Sequence, residues 1–173
     1  MILVVDSGST KTDWIALDNN GKIIFSTQTR GMNPQVLSSS IISERIINNF
    51  DLYHNRNSVS KIFFYGAGCG VSSSVNRILK VFQTIFKNSE FDIKEDTYAA
   101  VYSAVDIGTP SIVNIIGTGS NCSYYDGEKV IQKVDSLGYV LMDYASGNYY
   151  GKYLIRAYYF NKMPENLRKE FAE

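Results

Sequence analysis

A short pattern occurs twice in this chain and constrains its fold more than any other feature. Ile2-Leu3-Val4-Val5 runs into Asp6-Ser7-Gly8-Ser9-Thr10-Lys11, and Ile112-Val113-Asn114-Ile115-Ile116 runs into Gly117-Thr118-Gly119-Ser120-Asn121. Each is a β-branched run and a small hydroxyl-and-glycine turn, followed by a second strand-like run at 13–17 or 122–125. β-Branched side chains suit a pleated, half-buried surface, so both copies read as strand–turn–strand. Each second run ends at a turn signal, Asn19-Asn20-Gly21 or Asp126-Gly127, and a third run follows. Repetition on this scale predicts two similar units. Glycine lets a ligand approach the backbone, so the two turns are candidate nests for a polyphosphate held between two lobes. The alternative is an ordinary hairpin turn, where Ser, Gly, Thr and Asp are common. Neither loop has the spacing of a P-loop.

The rest of the chain extends this plan. Residues 1–28 read as three strands and 31–34 as a loop. Residues 35–50 carry Val36, Leu37, Ile41, Ile42, Ile46, Ile47 and Phe50 at helical spacing. A polar linker follows at 51–60, then a buried-type strand at 61–65 that ends in Gly66-Ala67-Gly68-Cys69-Gly70. A helix starts at Ser72-Ser73-Ser74, with Val75, Ile78, Leu79, Phe82 and Ile85 on one face. A short strand at 91–93 leads to Asp96 and a small-residue helix at 97–104. The first unit, 1–110, is therefore βββαβαβα. The second, 111–173, has three strands between 112 and 134, a loop at 135–147, a helix at 148–160 and a polar tail. It reads as incomplete, three strands plus a helix. Residues 112–116 would then be an open apolar edge, which favours self-association or a homodimer.

Composition excludes several classes. The 173 residues are 45% hydrophobic and 20% charged, which is the balance of a globular protein. With 17 basic and 17 acidic residues there is no electrostatic case for nucleic acid or an anionic membrane. No signal peptide and no apolar run of membrane-spanning length is evident, so the expected location is cytoplasmic. Cys69 and Cys122 lie far apart and read as reduced thiols. The single His54 sits in a polar segment and reads as a solvated loop residue, so a structural zinc site is not expected.

A three-strand meander followed by αβαβα resembles the ribonuclease-H-like unit. Two such units facing a cleft resemble the superfamily of actin, the heat-shock chaperones and the sugar kinases. Within it, four segments resemble the N-acetylglucosamine kinase and BadF/BadG ATPase family. They are Asp6-Ser7-Gly8-Ser9-Thr10-Lys11-Thr12, Glu95-Asp96-Thr97-Tyr98-Ala99-Ala100, Gly117-Thr118-Gly119-Ser120-Asn121-Cys122 and Leu137-Gly138-Tyr139-Val140-Leu141-Met142-Asp143. Their order and spacing match over nearly the whole chain.

The resemblance implies ATP-dependent phosphorylation of an amino sugar, with ATP and Mg²⁺ as cofactors. Phosphoryl transfer needs phosphates held in line, a metal ion and a base for the attacking hydroxyl. Ser7, Gly8, Ser9, Thr10 and Lys11 would hold phosphates with Gly117, Thr118, Gly119 and Ser120. Asp6 would face Mg²⁺, which prefers carboxylate oxygens and retains water. Asp96 would be the general base, and it equally suits a helix N-cap. Asn33, Asn121 and Asp143 would contact the sugar alongside Asp96. The family reads Gly-Asp-Glu-Gly-Ser where this chain reads Met142-Asp143-Tyr144-Ala145-Ser146, so a carboxylate and two glycines are replaced. The Tyr-rich run at Tyr149, Tyr150, Tyr153, Tyr158 and Tyr159 reads as helix packing. The family's adenine-binding segments lie beyond the equivalent of residue 173. Two rival readings are a BadF-type ATPase that drives a partner enzyme, and an inactive remnant that binds sugar or a partner.

Overall fold

A computed structural model describes residues 1–134 and 137–172. The chain divides into two compact units, Met1–Ser103 and Ala104–Glu173.

In unit 1, β1 (Ile2–Ser7), β2 (Lys11–Leu17) and β3 (Ile23–Arg30) form an antiparallel meander. β4 (Lys61–Gly66) pairs parallel to β1, and β5 (Glu90–Glu95) pairs parallel to β4. The order is β3-β2-β1-β4-β5, so β1 is central, as the ribonuclease-H-like reading requires. Alternation sets the faces. Leu3 and Val5 of β1, Trp14 and Ala16 of β2, and Ile62 and Phe64 of β4 are all buried on one side. Against them pack Ile42 and Ile46 of α1 (Ser39–Ile47) and Ile78 and Phe82 of α3 (Ser72–Ile85). Phe82 is the hub, with ring centroids 5.3 Å from Phe64 and 6.2 Å from Trp14. Each such side chain contributes about 1.5–3 kcal/mol on burial, so this layer holds the sheet flat against its helices.

Two local expectations are corrected here. The helix expected over 35–50 begins only at Ser39, because Asn33 holds the preceding residues in a turn. Its carbonyl accepts from Leu37 N–H at 3.1 Å and its side chain from Gln35 N–H at 2.9 Å. The expected polar linker at 51–60 is instead α2 (Phe50–Asn55) followed by a 3-10 turn at Arg56–Ser58. The Asn49 side chain caps α2 by accepting from Leu52 N–H, and buried Leu52 anchors it. His54 therefore lies on a helix, stacked on Phe50, and not in a loop. α4 (Thr97–Ala104) has the bounds expected of it.

Unit 2 contains β6 (Ser111–Ile116), β7 (Ser120–Tyr125) and β8 (Val130–Ile131), antiparallel in the order β6-β7-β8. Among the described residues β6 pairs on one side only, and Ile112 and Ile116 are 70% and 67% exposed. The loop expected at 135–147 begins with Asp135 and Ser136, which lie outside the described residues, and then includes α5 (Gly138–Leu141). α6 (Gly147–Tyr159) follows, N-capped by Ser146. The polar tail contains a further helix, α7 (Glu165–Phe171), with a Glu165–Lys169 ion pair one turn apart. The tyrosine run packs at the surface. No described side chain of α6 is buried; Tyr149 meets Tyr150, and Tyr158 meets Tyr159 and Phe171 of α7.

Candidate functional site

In unit 1 the parallel strands β1, β4 and β5 end side by side, at Ser7, Gly66 and Glu95. Ligands of parallel α/β sheets bind beyond such ends. Three loops converge there. The β1–β2 turn closes through Gly8 N–H donating to the Lys11 carbonyl at 3.0 Å, which leaves Ser9 and Thr10 exposed at its tip. Residues 31–34 lie against it, and residues 66–70 follow β4.

The hydroxyl of Ser7 does not face a ligand. It is fully buried, shares a hydrogen bond with Thr12 at 2.8 Å and accepts from Met32 N–H at 3.2 Å. It braces the turn from beneath. Lys11 is also engaged, as its ammonium pairs with Asp13 at 2.9 Å, two residues along the same strand face. Asp13 is held below the usual carboxylate range, chiefly by that bond.

Asn33 presses its side chain against Gly68. A Cβ on Gly68 would lie 2.3 Å from the Asn33 Oδ1, and Gly68 has a φ of +81°, so only glycine fits. Asp96 follows β5, and its carboxylate accepts from the Thr97 backbone N–H. Burial raises the Asp96 pKa above the ordinary value, and the Asp6 charge raises it further. Asp6 is raised too, first by desolvation of its carboxyl and then by Asp13, although the residue as a whole is exposed. The two carboxyls repel when both are ionised, so the second of them to lose its proton does so less readily.

Glu95 is an acid that the motif reading left out. It is raised by burial and then by Asp96, and its carboxylate lies 3.1 Å from where a Gly70 Cβ would stand. Its place beside Asp96 at a strand end was the available signal. The neighbouring Thr97 hydroxyl is buried with no partner at hydrogen-bond geometry, yet it lies close enough to Glu95 to favour its ionised form. Cys69 is buried in the same region and pushed up to about 12, chiefly by desolvation, so it is an inert thiol.

Among the described residues no cluster of three or more His, Cys, Asp and Glu could hold a metal by itself. Mg²⁺ does not require one. It takes one or two carboxylates plus phosphate and water oxygens. Asp6, with Asp96 nearby and negative charge in excess, fits an ion that arrives with a nucleotide.

In unit 2 the second loop also closes by a backbone hydrogen bond from its first glycine, over a shorter span than the first. Gly117 N–H closes the turn on the Gly119 carbonyl at 2.9 Å, and Thr118 is exposed at the tip. The loop is tied to the start of α6: Gly147 N–H donates to the Gly117 carbonyl, and Asn148 donates to the Thr118 carbonyl from both its N–H and its side chain. Ser120 Oγ donates to the Tyr144 carbonyl at 2.8 Å. Asp143 lies over Gly119, where an added Cβ would stand 2.6 Å from its Oδ2. Ser120, Asn121, Asp143 and Tyr144 line one cavity of about 500 Å³, with Cys122 and Lys133.

Of the two positions where the family has glycine, Met142 has a φ of −132° and Ala145 a φ of 63°, so only Ala145 is in the left-handed region, as is the neighbouring Asp143 at 61°. Ala145 thus keeps the conformation a glycine would supply, against the clash of its own Cβ. Ala145→Gly is expected to stabilise unit 2 by about 0.5–1 kcal/mol, the strain relieved less the greater chain entropy of glycine. Thermal denaturation measures it, and a lower melting temperature would show that Ala145 carries no strain.

A protein of Porphyromonas gingivalis provisionally named an N-acetylglucosamine kinase superposes on this chain with a TM-score of 0.86, at 30% identity over 99% of the chain. By structure, the chain is sugar-kinase-like. This accords with the N-acetylglucosamine kinase and BadF/BadG resemblance carried by the four motifs. The sugar-kinase-like chain spans 60% of the length of the Porphyromonas protein. A second such protein, from Chromobacterium violaceum and also provisionally named an N-acetylglucosamine kinase, shares the fold at a TM-score of 0.50 and 16% identity, over 87% of this chain and 54% of its own. No protein-family model and no curated protein matches the sequence.

Proposed function

We propose that this chain carries the acceptor and phosphate machinery of an ATP-dependent amino-sugar kinase. The observation that carries the reading is the convergence of three motif elements beyond the ends of β1, β4 and β5: the 8–11 turn, Asn33 and Asp96. Asp96 accepts the proton of the attacking hydroxyl. Its raised pKa suits a base better than an ordinary carboxylate, since a stronger base drives more of the transfer. Asn33 and, in unit 2, Asp143 and Asn121 hydrogen-bond sugar hydroxyls. Ser9, Thr10 and Thr118 offer exposed donors to phosphate oxygens. Asp6 holds the Mg²⁺ that, when bound, offsets charge on the phosphates.

A coupled assay of ADP release tests this over a panel of amino sugars and plain hexoses. ADP release that depends on an N-acetylated amino sugar is expected. Release that proceeds at the same rate without any sugar would replace the kinase by the BadF-type ATPase. No release under either condition would leave a binding remnant.

A further inference from the structure

The candidate phosphate turn and the Asn33 loop are built as one body, and a residue outside both motifs holds them. Gly31 is the joint. Its N–H donates to the Thr10 carbonyl at 2.8 Å. Its Cα lies so close to the turn that a Cβ would stand 2.4 Å from both the Gly8 and the Ser9 carbonyl oxygens. One residue later, Met32 N–H reaches the buried Ser7 hydroxyl, and one residue earlier the Arg30 carbonyl accepts from Thr12. Nothing in this joint lets one loop shift while the other stays. On its outer side the Gly31 carbonyl accepts from the Arg45 guanidinium, which reaches it from α1. α1 is fixed in turn by fully buried Ile42 and Ile46. Arg77 of α3 donates to the Pro34 and Leu37 carbonyls at the far end of the same loop.

We infer that Arg45 is a positioning residue that sets the 8–11 turn and the Asn33 loop together, so that the donor-side and acceptor-side contacts of unit 1 share one adjustment. The assignment of those two loops to phosphate and sugar rests on the function proposed above. The mechanical claim does not. An arginine suits the task because a charge-assisted hydrogen bond from a planar guanidinium is directional and strong. Arg45→Met keeps the aliphatic stem and removes the donor, while Arg45→Lys keeps a donor without the fixed fork.

Site-resolved amide hydrogen exchange on the full chain reads the mechanical claim without any activity. In Arg45→Met, exchange is expected to speed up by about tenfold both at Gly8, whose N–H closes the turn, and at 31–32, from loss of a hydrogen bond to a charged group, with α3 unchanged. Arg45→Lys is expected to fall between the two. Faster exchange in one segment alone, or in neither, would overturn the inference. So would faster exchange across α3 in Arg45→Lys, which would mark a general loss of packing. Where the wild type transfers phosphate, Arg45→Met is also expected to raise KM for ATP and for sugar together, with kcat changed less. In that background, Asn33→Ala should add little to the sugar KM. Full additivity there would also overturn it. Absence of transfer in the wild type would refute the kinase reading and leave the exchange result to judge Arg45.

Discussion

Asp96→Asn is expected to lower phosphoryl transfer by about 10²–10⁴-fold, the usual contribution of a positioned base, while raising the melting temperature of the metal-free protein. The two effects have one cause. Burial and the Asp6 charge raise the Asp96 pKa, so the folded protein disfavours its ionisation. A carboxyl raised on folding binds more protons in the native state than in the unfolded one. Stability therefore falls as pH rises from the ordinary carboxylate value through the raised one, and the full penalty is reached above the raised value. Asparagine removes the charge and keeps an oxygen to accept the Thr97 N–H. A residue that served only as a cap would show the gain in stability without the loss of transfer. Turnover within about threefold of wild type would remove Asp96 from the base role.

Gly119→Val is expected to weaken ATP–Mg²⁺ binding by about tenfold or more, through overpacking of the kind that costs about 1–3 kcal/mol. The new Cβ would lie 2.6 Å from Asp143 Oδ2, so either the loop or the carboxylate must move. The loop is held by α6 through Gly147 and Asn148, and Asp143 already occupies a left-handed conformation. The Asp143 carboxylate can turn aside, and it then leaves its place over the loop. Calorimetry on the variant and on Gly119→Ala decides it. Undiminished nucleotide affinity in both would take the second loop out of the phosphate site.

Much of this architecture was legible because it is carried by local pattern. The alternation in β1, β2 and β4, the one-sided face of α3 and the small residues of 97–104 each announce their element. α2 was hidden because it buries a single residue, Leu52, and its start depends on one asparagine cap. α7 was hidden because no described residue of it is buried. The site was legible in position more than in role. Asp96 follows the end of β5, and Asn33 lies against Gly68. The Ser7 hydroxyl faces the core, and whether a hydroxyl at a strand end faces a ligand or the core depends on Met32 and Thr12, which the turn motif alone does not bring together. Lys11 and Asp13 share a strand face, so their pairing was readable. Arg45 was not, because its reach to the Gly31 carbonyl depends on how α1 packs, which no local pattern marks.

The central place of β1 has a consequence for assembly on the ribosome. The β1–β2–β3 meander joins neighbours in sequence and can close as soon as those residues emerge. The 8–11 turn forms with it, before Arg45 reaches Gly31, but the other edge of β1 must wait for β4, and β4 must wait for β5. Pairings across such separations carry the loop-closure cost that slows folding. The candidate base is therefore installed last in unit 1, on a scaffold whose opposite wall was built first.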